Sequence, residues 1–126
     1  MSHVHVNVRL KGAEGSLEIN NVLVDTGASY TVMNSQALKK IGAIKTPHTV
    51  DLELGDGRVV KADVYVAVTS IEGREASTLC VSFEGAKPVL GVLTLEGLGL
   101  KVNPTTGRLE PTRPKGIAYF YREECS

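Results

Sequence analysis

Apolar residues in this chain recur at every second position, and that period constrains the fold more than any other feature. Val4, Val6, Val8 and Leu10 alternate with His5, Asn7 and Arg9. A period of two puts one set of side chains on each face of a strand. After the turn Gly12-Ala13-Glu14-Gly15 it returns in Leu17, Ile19 and the run Val22-Leu23-Val24. It returns again from Thr49 to Leu54 and, beyond Gly55-Asp56-Gly57, in Val59-Val60, Val64, Val66 and Val68. This second stretch predicts a β-hairpin with a glycine-rich tip. Tyr30 to Met33, residues 76–83, the glycine-punctuated run Pro88-Val89-Leu90-Gly91-Val92 and the aromatic tail Ile117–Tyr121 read as further strands. Leu100–Val102 and Arg108–Glu110 read as a last hairpin about the turn 103–107. Helical signals are few. Asn34 or Ser35 can cap a short helix over Leu38 and Ile41 that Gly42 stops, and Thr94 can cap another over Leu95 to Leu98. About eight or nine short strands with one or two short helices predict a mostly-β barrel or sandwich-like domain. No linker or low-complexity segment divides the 126 residues.

Composition removes several classes of function. Hydrophobic residues make up 42% of the chain, enough for one packed core. Fourteen basic residues balance fourteen acidic ones without a basic patch or tail, so nucleic acid is not an expected partner. No apolar run approaches the roughly 20 residues of a membrane-spanning helix, so no membrane partner is expected. The opening Met1-Ser2-His3-Val4-His5-Val6 lacks the basic-then-apolar pattern of a secretion signal, which makes the cytoplasm the expected location. Cys80 and Cys125 form no Cys-x-x-Cys pair and read as reduced thiols. His3 and His5 lie two apart without a third ligand in view and read as a solvated strand end, so neither a metal nor another cofactor is expected. Ser29 and Ser35 have no His–Asp constellation around them. Gly55-Asp56-Gly57 is no phosphate loop, because no helix start and no Lys-Ser/Thr follow it.

The chemistry concentrates where an apolar run stops abruptly at a carboxylate. Val22-Leu23-Val24 is apolar on both faces, as a central strand is, and delivers Asp25-Thr26-Gly27-Ala28-Ser29. An Asp ending a buried strand must be desolvated or partnered, a setting that tunes a carboxylate for acid–base work. The residues after it are small: Gly27 admits a close backbone approach, and Thr26 and Ser29 supply hydroxyls that can lock the loop. Later, Val89-Leu90-Gly91 is a second apolar strand ending in glycine. The three features together resemble the retropepsin-like aspartic peptidases: the loop Leu23–Ser29, the glycine-tipped hairpin at Gly55-Asp56-Gly57, and Val89-Leu90-Gly91 before a short helix. The resemblance covers roughly residues 17–110 and agrees in order and spacing.

That resemblance implies an acid-protease-type closed β-barrel, one lobe per chain, with a core at about 4–110 and a C-terminal extension over 111–126. It implies a catalytic Asp25, a supporting loop Thr26, Gly27, Ala28 and Ser29, a flap tipped by Gly55, Asp56 and Gly57, and a second glycine loop at Leu90 and Gly91. Aspartic peptidases need two carboxylates, and the chain holds a single Asp-Thr-Gly. The second must then come from another copy, making a homodimeric endopeptidase whose Asp25 faces the partner's Asp25 across a two-fold axis. Thr26 would bond across that axis, and the flaps would close over an extended polypeptide. Val4–Leu10 and Ile117–Tyr121 are the candidate interface strands. Asp56 departs from the apolar or glycine tips of viral relatives. Ala28 stands where many two-lobed relatives carry a hydroxyl that favours the charged carboxylate, so the expected pH optimum lies nearer neutrality than a pepsin's. The alternative is a dimer of the same fold that binds or assembles peptides without cleaving them.

Overall fold

The computed structural model describes residues 3–115. The predicted tail strand 117–121 and Cys125 lie outside the described residues. The elements follow the order β1 (Val4–Gly12), β2 (Gly15–Val24), β3 (Thr31–Val32), α1 (Ser35–Lys40), β4 (Ile44–Glu53), β5 (Val59–Ile71), β6 (Arg74–Ser82), β7 (Val89–Leu90), α2 (Val92–Leu98), β8 (Leu100–Asn103) and β9 (Arg108–Pro111). The chain is mostly β, as the alternation requires.

Six strands close on themselves. They run β1-β2-β7-β3-β6-β5, and β5 returns to β1 through the pairs Arg9↔Ser70, Leu10↔Thr69 and Lys11↔Val68. Closure leaves none of the six as an open edge along its whole length. The length of β5, 13 residues, makes this possible. One of its edges pairs with β4 over Val59–Val66 and, beyond that, with β1 over 68–70. The far half of the β4–β5 hairpin therefore projects from the barrel. β8 and β9 form a separate two-stranded sheet beside α2.

Alternation becomes burial. Val4, Val8 and Leu10 of β1, with Val22 and Val24 of β2, point into the main core with Met33, Leu38, Leu90 and Leu95. β2 lies between β1 and β7, so the strand read as central is central. On β5 the buried side changes between Val64 and Tyr65 without a break in its ladder to β6. Tyr65, Ala67, Thr69 and Ile71 are buried on the barrel side, while Ala62 and Val64 belong to a second cluster with Val81, under the projecting hairpin. The valines that reveal the period, Val66 and Val68, are the half-buried outer face.

Two local expectations are corrected. β4 begins at Ile44 rather than Thr49, and it accommodates Pro47 because the ladder to β5 shifts between Lys45 and Thr49. The second helix begins at Val92, with Gly91 rather than Thr94 at its N-cap. Its first amides already have partners: Val92 N–H donates to the Ala28 carbonyl at 2.8 Å and Leu93 N–H to the Ser29 carbonyl at 3.1 Å. No side-chain cap is then required. The first helix follows the reading, with the Asn34 side chain accepting from the Gln36 amide at 2.7 Å.

Candidate active site

Parallel pairing of β2 with β7 sets Leu23 against Val89 and Val24 against Leu90. Both strands end at one level, so Asp25 and Gly91 leave the barrel side by side. The Asp25 amide extends the ladder by donating to the Leu90 carbonyl at 3.0 Å. The loop then folds back on itself: Ala28 N–H donates to the Asp25 carbonyl at 3.0 Å, and Gly27 N–H donates to Asp25 Oδ1 at 2.9 Å. That last bond fixes one carboxylate oxygen, and among the described residues the other accepts no hydrogen bond.

Gly91 is where the second loop must pass closest. A Cβ there would fall on the Tyr30 carbonyl and within 2.8 Å of the Ser29 carbonyl oxygen, so only glycine fits. Below it, the Gly91 amide donates to Thr31 Oγ1 at 3.0 Å, and Thr31 Oγ1 shares a 2.6 Å hydrogen bond with Thr94 Oγ1. Both threonines are buried. Leu90 and Gly91 are thus scaffold for the Asp25 loop, not part of its open surface.

Asp25, Gly27, Ala28 and Ser29 open onto a cleft of about 610 Å³. Its far wall is the β4–β5 hairpin through Leu52, Leu54 and Gly55, and its floor includes Val32, Phe83 and Val89. The predicted loop and the predicted hairpin tip therefore meet across one cavity. Two predicted tip residues, Asp56 and Gly57, are not among its lining. Asp56 is engaged elsewhere: its Oδ1 accepts the Arg58 amide at 3.0 Å and its Oδ2 accepts Arg58 Nε at 2.7 Å. The Arg58 backbone and guanidinium donors hold the Asp56 carboxyl below its ordinary value. Leu54 and Gly57 close the tip as a turn, the Gly57 amide donating to the Leu54 carbonyl at 2.9 Å and Gly57 taking φ 88°.

Thr26 turns away from the cleft. It lines two hollows of about 590 and 530 Å³, each of which also involves Val102 and Pro104 of the β8–β9 hairpin. Asp25 lines the second of these too. The expectation of a desolvated carboxylate is not met within one chain, where Asp25 and Thr26 are both exposed. The strand is buried, but the loop it delivers emerges at the surface. Val4, Val8 and Leu10 of the candidate interface strand β1 are spent on the barrel's own core. Cys80 is a buried free thiol that burial pushes up to about 11, which suits packing rather than nucleophilic work.

A family model described as "gag-polyprotein putative aspartyl protease" matches residues 13–97, about two-thirds of the chain. The chain belongs to this family. No curated protein matches it. The match takes in the Asp25 loop, the β4–β5 hairpin, Gly91 after β7 and most of α2. Several parts of the site escape a linear reading. Tyr30, Phe83 and Lys87 reach the cleft only through folding, and Thr31 and Thr94 meet across 63 residues. A buried Thr-Thr pair leaves no periodic signal. The cleft charges Asp51 and Glu53 were legible as strand residues, but not as lining.

Proposed function

We propose that this protein is a homodimeric aspartic endopeptidase that hydrolyses extended polypeptides through a water activated by Asp25 and the partner's Asp25. The observation that carries the reading is the Asp25 loop itself: a carboxylate anchored by one amide on one oxygen, opening with its small neighbours onto a roofed cleft. One carboxylate cannot serve at once as base toward water and as acid toward the carbonyl. Two carboxylates about 3 Å apart cannot both ionise, so the pair shares one proton. The ionised member takes a proton from water as oxygen attacks the carbonyl carbon. The protonated member donates to the developing oxyanion. Collapse of the tetrahedral intermediate breaks the C–N bond, and a proton from the pair leaves with the amine.

The exposure of Asp25 and Thr26 supports an unfilled half-site. A two-fold axis beside Asp25 brings the partner against Thr26 and the hollows flanked by Val102 and Pro104, burying what a single chain leaves open. In this dimer Thr26 bonds across the axis, the β8–β9 hairpin joins the interface, and the β4–β5 hairpin is the flap that excludes water. Ala28 offers the carboxylate no hydroxyl, and the Gly27 amide is its one side-chain-directed donor among the described residues. The proposed pH–rate profile accordingly peaks well above about pH 3.

The direct test compares wild type with Asp25→Asn on an unfolded protein across acidic to neutral pH. Asparagine keeps the shape and cannot act as the ionised base. Cleavage is expected to fall by at least about a thousandfold, the scale lost when such a group is removed. Cleavage that survives the substitution would rule out Asp25 chemistry. A dimer in which neither protein cleaves would favour peptide binding without hydrolysis.

A further inference from the structure

Two of the large apolar side chains left exposed among the described residues stand in one row. Ile44 of β4 is 64% exposed and Leu79 of β6 is 46% exposed. Val66 of β5 pairs with both, so the three lie side by side across three strands. Their face is the one turned away from the main core, into which Tyr65, Ala67 and Cys80 point. Toward the tip of the β4–β5 hairpin the same face carries Val64 and Val81, which are buried with Tyr30, Val32 and Phe83. In the other direction it carries the half-buried Val68, opposite Ser77. The apolar stripe is thus covered at one end and open at the other.

The described chain leaves the barrel at the foot of this stripe. Arg74 Nη2 donates to the Arg113 carbonyl at 2.7 Å, and Lys115 lies across Gly73 in the β5–β6 turn, where a Cβ would stand 2.6 Å from Lys115 Nζ. From Gly73, β6 reaches Leu79 in six residues. Past Lys115 the sequence has Gly116, a residue suited to reversing the chain, and then Ile117, Tyr119 and Tyr121 at every second position. Lys115 to Tyr121 is again six residues. At the rise of an extended chain both spans cover about 20 Å.

We propose that the segment Ile117–Tyr121 docks on its own chain, along the outer face of β5 and β6, with Tyr119 and Tyr121 over Val68, Val66 and Leu79. The point of exit, the matching length and the matching period carry the assignment. A segment apolar at alternate positions has one face to bury, and the open stripe is the apolar face within its reach. Tyrosine suits the place, because its ring covers aliphatic side chains while its hydroxyl stays in water. The contact fastens the segment to the root of the β4–β5 hairpin, where Ile44 opens β4 against Val66. It places the segment on the chain's own barrel rather than at the two-fold face beside Thr26, and it holds whether or not the cleft cleaves peptides.

The test is isotope-edited NMR of the full chain with labelled isoleucine, leucine and valine methyl groups. NOEs are expected from the Tyr119 and Tyr121 ring protons to the methyls of Val66, Val68 and Leu79. A second sample mixes chains carrying labelled methyls and deuterated rings with chains of the opposite labelling, so that only contacts between chains give a signal. That sample is expected to show none of these NOEs. Urea unfolding supplies an independent reading: Leu79→Ser and Tyr119→Ser/Tyr121→Ser are each expected to lower the midpoint, and together to lower it by less than the sum, because they remove one contact. NOEs from the rings to Val102 or Pro104 instead, or NOEs to the stripe that appear between chains, overturn the proposal. So do an absence of NOEs to the stripe, and a midpoint unmoved by Leu79→Ser, as for a leucine that faces only water.

Discussion

At the scale of single residues, the hairpin tip shows how a charge can be present in the sequence and absent from the field. Asp56 reads along the chain as a carboxylate at the mouth of the site. Folding gives it to Arg58, through the backbone amide first and the guanidinium second. The carboxyl is held below its ordinary value of 3.8, so the clip contributes fully above pH 3.8 and is lost as pH falls through the depressed value. An NMR titration of the Asp56 carboxyl carbon is expected to give a midpoint below 3.8, which Arg58→Ala returns toward 3.8. A midpoint at or above 3.8 in the intact protein would contradict the clip. Asp25 is the opposite case. Its place at the end of a buried strand was legible because Val22-Leu23-Val24 ends on it and small residues follow, features local to a few positions. Its exposure was not legible, because exposure depends on what the neighbouring β7 loop and β8–β9 hairpin leave uncovered.

Among the elements, α2 depends on groups that lie far from it in sequence. Its N-terminal amides are taken by the Asp25 loop, and its C-terminal carbonyls by two arginines. Arg74, nearly buried, donates to the carbonyls of Leu98 at 3.1 Å, Gly99 at 3.3 Å and Arg113 at 2.7 Å. Arg113 returns to the Glu96 carbonyl at 3.0 Å and the Gly97 carbonyl at 2.8 Å. Replacing Arg74 by Met keeps the stem and takes the arginine donor from the Leu98 and Arg113 carbonyls, while the Gly99 carbonyl keeps the Thr112 amide at 2.7 Å, at a cost of about 1–3 kcal/mol. Urea unfolding is expected to show a lower midpoint at unchanged slope. An unaltered midpoint would mean that water serves those carbonyls equally well. Gly91→Ala tests the other end. Its methyl would fall on the Tyr30 carbonyl, so the two loops must part, and we expect losses of both stability and activity. Strand positions were legible from the period of two, and α1 from Asn34. The start of α2 was not, because its cap is the carbonyls of residues 28 and 29 rather than a local side chain. The early start of β4 was hidden by Pro47, which removes a donor that this shifted ladder does without.

For the whole molecule, closure of six strands yields a rigid barrel and spends the apolar face of β1 on its own core. What remains open is the surface around Thr26, Val102 and Pro104, next to Asp25. The barrel was legible as a class, since many short alternating strands must close or cover their edges. Which strands meet was not, because β7 and β3 are two residues each and sit in the sheet through long-range pairing. The central claim is that one chain holds half of a catalytic pair. Mixing wild type with Asp25→Asn, after unfolding and joint refolding so that subunits assort at random, tests it most directly. If both carboxylates are needed, activity falls as the square of the wild-type fraction, to about one quarter in an equal mixture, because only dimers with two aspartates work. Activity of about one half, linear in the wild-type fraction, would show that each chain works alone and would contradict the account.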